Sequence, residues 1–151
     1  MEKKTRILVG GVFDIIHLGH IKFLWAAKSL AKNSELIVII ARDSTVKKLK
    51  GREPIFSEQE RLEIVNNLKP VDRVYLGHEL KERKTIYDIV LELKPDIIAL
   101  GYDQNFDEND LRNWAIKKGL NLKVVRLGKF SFNGINSSSE VRKRILGLIK
   151  K

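Results

Sequence analysis

The chain has no cysteine among its 151 residues, which excludes disulfides, zinc–thiolate sites and a thiol nucleophile. Its three prolines are scattered, and no Pro/Gly/Ser-rich stretch, internal repeat or low-complexity segment divides it. The longest apolar runs, "ELIVIIA" and "DIIALG", are of strand length and fall far short of the ~20 residues that span a bilayer. "MEKKTR" leads straight into a strand pattern with no apolar leader, so a cytoplasmic address without a membrane partner is expected. Acidic side chains are outnumbered, 19 against 29 Lys and Arg, for a formal charge of +10, which favours polyanionic partners. The cations are dispersed and no basic run is interleaved with aromatics, so nucleic acid is not expected. A nucleoside triphosphate, by contrast, needs only a few well-placed cations.

What is present alternates. Strand-like runs occupy Thr5–Gly10, Glu35–Ala41, Arg73–Leu76, Asp96–Leu100 and Leu122–Leu127. Helix-like patterns occupy Ile21–Lys32, Glu58–Leu68, Thr85–Leu93, Glu108–Lys118 and Glu140–Lys150. "SEQE" (Ser57–Glu60) reads as a capping box, "SSSE" before the last helix as a second, and Gly119 as a helix stop. Near-continuous Val/Ile/Leu strands separated by helices imply an α/β fold, a doubly wound, five-stranded parallel sheet of Rossmann-like type with helices on both faces. Residues 1–151 form one domain in this reading. Ligands of such sheets bind beyond the carboxyl ends of the strands, where strand order reverses. The segments to search are therefore Gly10–His20, Arg42–Glu53, Gly77–Glu79, Gly101–Asp107 and Gly128–Ser139.

"GGVFDIIHLGH" (Gly10–His20) holds two of the chain's three histidines. Gly19 lets backbone approach a bound group, and the following helix aims its N–H groups at the crevice. His17 and His20 can face one small volume and donate to phosphate oxygens, a cationic imidazole also offsetting charge in a transition state. A zinc site is not expected, because a third ligand is missing. At the other end, "NGINSSSEVRKRI" places Ser137, Ser138 and Ser139 at a helix N-terminus, an anion cradle. Arg142 lies one turn beyond Ser138, on the same helix face. Lys47, Lys48, Lys50 and Arg52 crowd what reads as a loop after the second strand, a trap for a triphosphate or an anionic acceptor.

"GVFDIIHLGHIKFL" also resembles the G-x-F-D-x-x-H-x-G-H signature of the nucleotidyltransferase superfamily, which includes cytidylyltransferases, phosphopantetheine adenylyltransferase and FAD synthases. Val12 stands where Thr or Ser is usual. The resemblance implies that His17 and His20 bind nucleotide phosphates and stabilise the reacting α-phosphorus. It also implies that Gly11, Val12, Phe13 and Gly19 shape the nucleotide site, and that Asp14 helps shape the acceptor pocket. A family lysine reaches phosphates, and Lys47 or Lys48 is its counterpart; Lys47 is assigned to catalysis with Arg142, and Lys48 and Arg52 to the acceptor. Arg61 matches a family arginine whose role is partly structural.

"LGYDQNFD" resembles family residues that line the nucleotide site, assigning Gly101, Asp103 and Gln104 to it, with Asp103 and Gln104 able to hydrogen-bond sugar or base. "KPVDRVYLG" resembles a stretch that helps form dimer interfaces in cytidylyltransferases, which leaves a homodimer open. The closing motif resembles I-S-[ST]-[ST]-x-I-[RK] with Asn136 substituted or inserted. "ARDSTVKKLKGREPI" and "LKPDIIALGYDQ" bring the resemblance closest to archaeal FAD synthases, implying adenylyl transfer from ATP to FMN with release of pyrophosphate and Mg²⁺ on the triphosphate. No protein metal ligands are assigned. Phe13, Tyr102, Phe106, Phe130 and Phe132 are available for a flat flavin slot, whereas Trp25 and Trp114 read as core or helix-packing residues. Two alternatives stand beside this: a CTP-dependent cytidylyltransferase acting on glycerol 3-phosphate or a related phosphate, and a non-catalytic nucleotide- or RNA-binding module.

Overall fold

A computed structural model describes residues 2–79, 86–130 and 132–151. The element order is β1 (Thr5–Gly11), α1 (Leu18–Lys28), β2 (Ser34–Ile40), α2 (Asp43–Lys50), α3 (Glu58–Asn66), β3 (Arg73–Leu76), α4 (Ile86–Leu93), β4 (Ile97–Leu100), α5 (Glu108–Lys117), β5 (Lys123–Arg126) and α6 (Ser138–Ile149). The strands form one parallel sheet ordered β3-β2-β1-β4-β5. The order reverses between β1 and β4, which makes their carboxyl ends the expected crevice. No described helix is long and apolar enough to cross a membrane.

Strand periodicity sorts the core into two layers. Ile7, Val9, Leu36, Val38, Ile40, Ile97 and Ala99 pack on one face with Leu24 and Ala27 of α1 and Val65 of α3. Leu8, Ile37, Ile39, Ile98 and Leu100 point to the other face, against Ile89 and Val90 of α4 and Leu111 of α5. Successive side chains alternate while both faces are covered, so the strands read as unbroken apolar runs. Each fully buried Ile or Leu contributes ~1.5–3 kcal/mol by leaving water. Trp114 packs beside Tyr87 at a ring separation of 4.6 Å, but Trp25 is 45% exposed on α1 and is not a core residue.

Several boundaries differ from the sequence reading. α1 begins at Leu18 rather than Ile21, because His17 in extended conformation serves as its N-cap. It stops at Lys28 rather than Lys32: Ser34 Oγ donates to Lys28 O at 2.6 Å and starts β2 there. Residues 43–50, read as a basic loop, form α2. Its signals were a C-terminal glycine, Gly51 at φ +68°, and lysines crowding the last turn, where the helix dipole favours them. Thr85 lies outside the described residues. Asp72 is an internal anchor, accepting from Leu36 N at 2.7 Å and pairing with Lys28.

The loops above β1 are fastened by two buried charges. Arg61 of α3, wholly buried, donates to Phe56 O at 3.0 Å, Val12 O at 2.8 Å and Asp43 Oδ1 at 2.7 Å. It thereby joins α3 to the β1–α1 turn and to the start of α2. Asp14, 3% exposed, accepts from Ile55 N at 2.8 Å and Phe56 N at 2.9 Å. Removing one partner from a buried ionic network usually costs ~3–5 kcal/mol, since the remaining polar groups stay desolvated. Arg61→Met is therefore expected to lower the unfolding free energy by about that much in urea titration. An unchanged midpoint would show that Arg61 is not such a fastening.

Candidate functional site

The β1–β2 ladder runs through seven residue pairs to Gly11–Ile40, whereas β1 and β4 pair only at Ile7–Ile97 and Leu8–Ile98. Above that point Gln104 bridges them: its Nε2 donates to Gly10 O and its Oε1 accepts from Gly101 N, both at 2.8 Å. Gln104 was expected to meet sugar or base; its amide is instead engaged in holding the two strand ends. Gly101 has room for a Cβ, which would meet Asp103 and Gln104 at 3.6 Å, an ordinary contact. Asp103 is exposed and has no partner among the described residues.

The β1–α1 turn is tightly wedged. Phe13 adopts φ +51°, and its ring lies so close over Gly11 that a Cβ there would come within 2.9 Å of it. Only glycine fits at 11. The Phe13 ring is buried and meets His20 at 5.3 Å between centroids, so it supports the histidine rather than opening toward a ligand. Val12 gives its carbonyl to Arg61. His17 N donates to His20 Nδ1 at 3.2 Å, and the two imidazoles stack at 3.8 Å.

This geometry sets the histidines' charge state. Burial, and secondarily the neighbouring His17, pushes His20 down to about 4 from its usual 6.5. Burial also lowers His17, partly opposed by Glu140. Both are neutral at pH 7. Because His20 Nδ1 accepts a backbone N–H, its proton resides on Nε2, leaving that atom as a donor.

The second predicted cradle comes to the same place. A Cβ on Gly19 would lie 2.9 Å from Asn136 O and 2.9 Å from His17 Cε1. The start of α1 is thus pressed against the segment leading into α6. Ser138 Oγ donates to Ile15 O at 3.5 Å. Ser137 Oγ accepts from Glu140 N at 3.2 Å and caps α6. Arg142 Nη2 donates to Ser139 Oγ at 3.4 Å. Among the described residues, three buried side-chain atoms have no partner: His17 Nδ1, Arg142 Nη1 and Thr45 Oγ1. Unpaired buried polar atoms are costly, and two of these sit at the joined helix termini where an anion would satisfy them.

Other expected residues lie elsewhere. Lys47 pairs with Glu53 at 3.1 Å, both side chains about two-thirds exposed, and no described contact links it to the histidines. Lys48 is exposed. Arg52 Nη1 approaches Asp14 Oδ2 at 3.9 Å, and both carboxylate oxygens of Asp14, expected at the acceptor, are engaged by the 55–56 backbone. Sequence reading missed Thr45, concealed in the unrecognised α2, and Arg126, whose role requires a folded loop. Among the described residues no group of three or more His, Asp or Glu is arranged to hold a metal ion.

The cytidylyltransferase-like family model matches residues 8–144. An FAD synthase of Korarchaeum cryptofilum is 54% identical over 149 residues, covering 98% of this chain and 96% of that protein. One from Thermoplasma acidophilum is 53% identical over 145 residues, covering 96% of each. The crystal structure of a Thermoplasma volcanium protein described as a lipopolysaccharide core biosynthesis protein superposes with TM-score 0.77 at 46% identity, covering 85% of this chain and 100% of that one.

His20 supplies a pH test. The unfolded chain takes up this proton near 6.5, whereas the folded chain resists until about 4. Its contribution to stability is therefore complete above pH 6.5 and declines as pH falls toward 4. In imidazole NMR spectra of the free protein His20 should titrate near pH 4, and a bound triphosphate should raise that midpoint. A midpoint at or above 6.5 without ligand would contradict the burial described.

Proposed function

The chain belongs to the cytidylyltransferase-like family, and from that premise we propose that it is an FMN adenylyltransferase, an FAD synthase. The observation that carries the reading is the meeting of the α1 and α6 N-termini, with His17 Nδ1 and Arg142 Nη1 both lacking partners there. The substrate pair rests on relatives named FAD synthase that match nearly the whole chain at 54% and 53% identity.

In this reading ATP enters as its Mg²⁺ complex. The ion would arrive as part of that substrate and supply charge neutralisation to the triphosphate, with no His, Asp or Glu cluster of the described residues assigned to hold it. The triphosphate lies across both helix N-termini, whose free N–H groups and dipoles favour anions. An oxygen of the FMN phosphate attacks the α-phosphorus in line. The new O–P bond forms as the bond from the α-phosphorus to the α,β-bridging oxygen breaks, and pyrophosphate leaves with that electron pair. No covalent enzyme intermediate is required.

His20, neutral and donating from Nε2, hydrogen-bonds oxygen at the reacting phosphorus, and Arg142 takes up charge on the departing phosphates. His17 occupies the N-cap position, stacked so that His20 stays oriented. Ser137 to Ser139 hold the α6 terminus in place. Catalysis is then positioning plus preorganised electrostatics. Asp14 acts at one remove, fixing the 55–56 backbone as a wall of the acceptor side, with Arg52 and Lys48 as cations near the FMN phosphate. Lys47 has a weaker claim, being paired with Glu53.

His20→Ala is expected to lower kcat by roughly 10²–10³, the usual cost of one such donor, while nucleotide still binds. The substrates are tested by incubating the protein with ATP or CTP against FMN or glycerol 3-phosphate and measuring pyrophosphate. FAD formation from ATP and FMN alone is the expected outcome. Product confined to the CTP reactions would replace this reading by the cytidylyltransferase one, and a protein that binds nucleotide without any turnover would leave only a binding module.

A further inference from the structure

Arg126 closes β5, an edge strand of the sheet, and its guanidinium gathers one short segment around itself. Nη1 donates to Gly101 O at 2.8 Å and to Gln104 O at 2.9 Å. Nη2 donates to Phe106 O at 2.5 Å, and Nε pairs with the Glu108 carboxylate at the start of α5. One cation thus draws three carbonyls of residues 101–106 inward. The backbone N–H groups of Tyr102, Asp103, Asn105 and Phe106 donate to no partner among the described residues. Gln104, the segment's one internally tied side chain, locks it to the end of β1. The result is a tethered loop at the mouth of the β1–β4 crevice, with three of its carbonyls held by Arg126 and four of its N–H groups free among the described residues.

We infer that Arg126 is the positioning residue for nucleotide-base recognition: it holds residues 101–106 so that their free backbone donors, beside exposed Asp103 and Tyr102, meet the base of the bound nucleoside triphosphate. This rests on the nucleotidyltransferase reading of the crevice but not on FMN as acceptor. The planar fork is essential. A lysine keeps the charge but cannot bond three carbonyls and a carboxylate in fixed directions. The bonds to the carbonyls are charge-assisted and only partly exposed to water, so their loss changes the loop's shape rather than merely its surface.

The test compares a ligand with a base and one without. Binding of ATP and of inorganic tripolyphosphate is measured by calorimetry for wild type, Arg126→Lys, Arg126→Met and Glu108→Gln, with thermal unfolding as a control for folding. ATP affinity should fall at least tenfold in Arg126→Lys while tripolyphosphate affinity stays within about twofold, with Glu108→Gln changing in the same direction; a tenfold loss corresponds to ~1.4 kcal/mol. Equal weakening of both ligands, no weakening of either, or failure of wild type to bind ATP would overturn the inference. Where Arg126→Met does not fold, the other two variants carry the same comparison. FAD formation by wild type is measured separately, so absence of transfer to FMN would remove the proposed acceptor while base-dependent binding still decides the role of Arg126.

Discussion

A single close approach governs the site: the backbone at Gly19 lies against Asn136 O with no room for a methyl group between them. Two helices far apart in sequence therefore begin side by side. Each N-terminus alone is a weak anion site, offering a few unpaired N–H groups and a partial positive charge. Joined, they offer donors along a length suited to a chain of phosphates. The unpaired His17 Nδ1 and Arg142 Nη1 fit the same account, because atoms that lose free energy without a partner gain it from an anionic one.

Neutral histidines make this arrangement possible. Two protonated imidazoles stacked at 3.8 Å would repel each other, and burial prevents that by lowering both. The positive character of the site then comes from helix termini and Arg142. Around it, buried or half-buried ionic groups serve as fasteners of backbone. Arg61 and Asp14 fix the turn after β1 and the 55–56 segment, and Arg126 with Gln104 fixes the loop after β4. The two sets lie on either side of the point where strand order reverses.

Much of this was legible in the sequence. Strand runs were continuous because both sheet faces are covered, so all five strands were placed within a residue or two. Helix ends were less accurate: α1 starts three residues early because a histidine caps it, an unusual capping residue. α2 was concealed because its eight residues are mostly polar and carry one buried side chain, Val46. The placement of His17, His20 and the serine cap at helix N-termini followed from local pattern, since glycine turns and helix N-termini are local devices. The contacts of Asp14, Gln104 and Arg126 did not. Apart from the Gln104–Gly101 bond, their partners lie 18 to 94 residues away along the chain, and a polar side chain bonded to distant groups has the same sequence signature as one open to a ligand.

The central claim is that α1 and α6 together form one triphosphate site. Its most direct test is the crystal structure of the protein with a non-hydrolysable ATP analogue. The account predicts phosphate oxygens within hydrogen-bond distance of both His20 and the Ser138–Arg142 turn, with the α-phosphate nearest the imidazole. A triphosphate bound at one helix terminus only, or along α2 away from both, would contradict it.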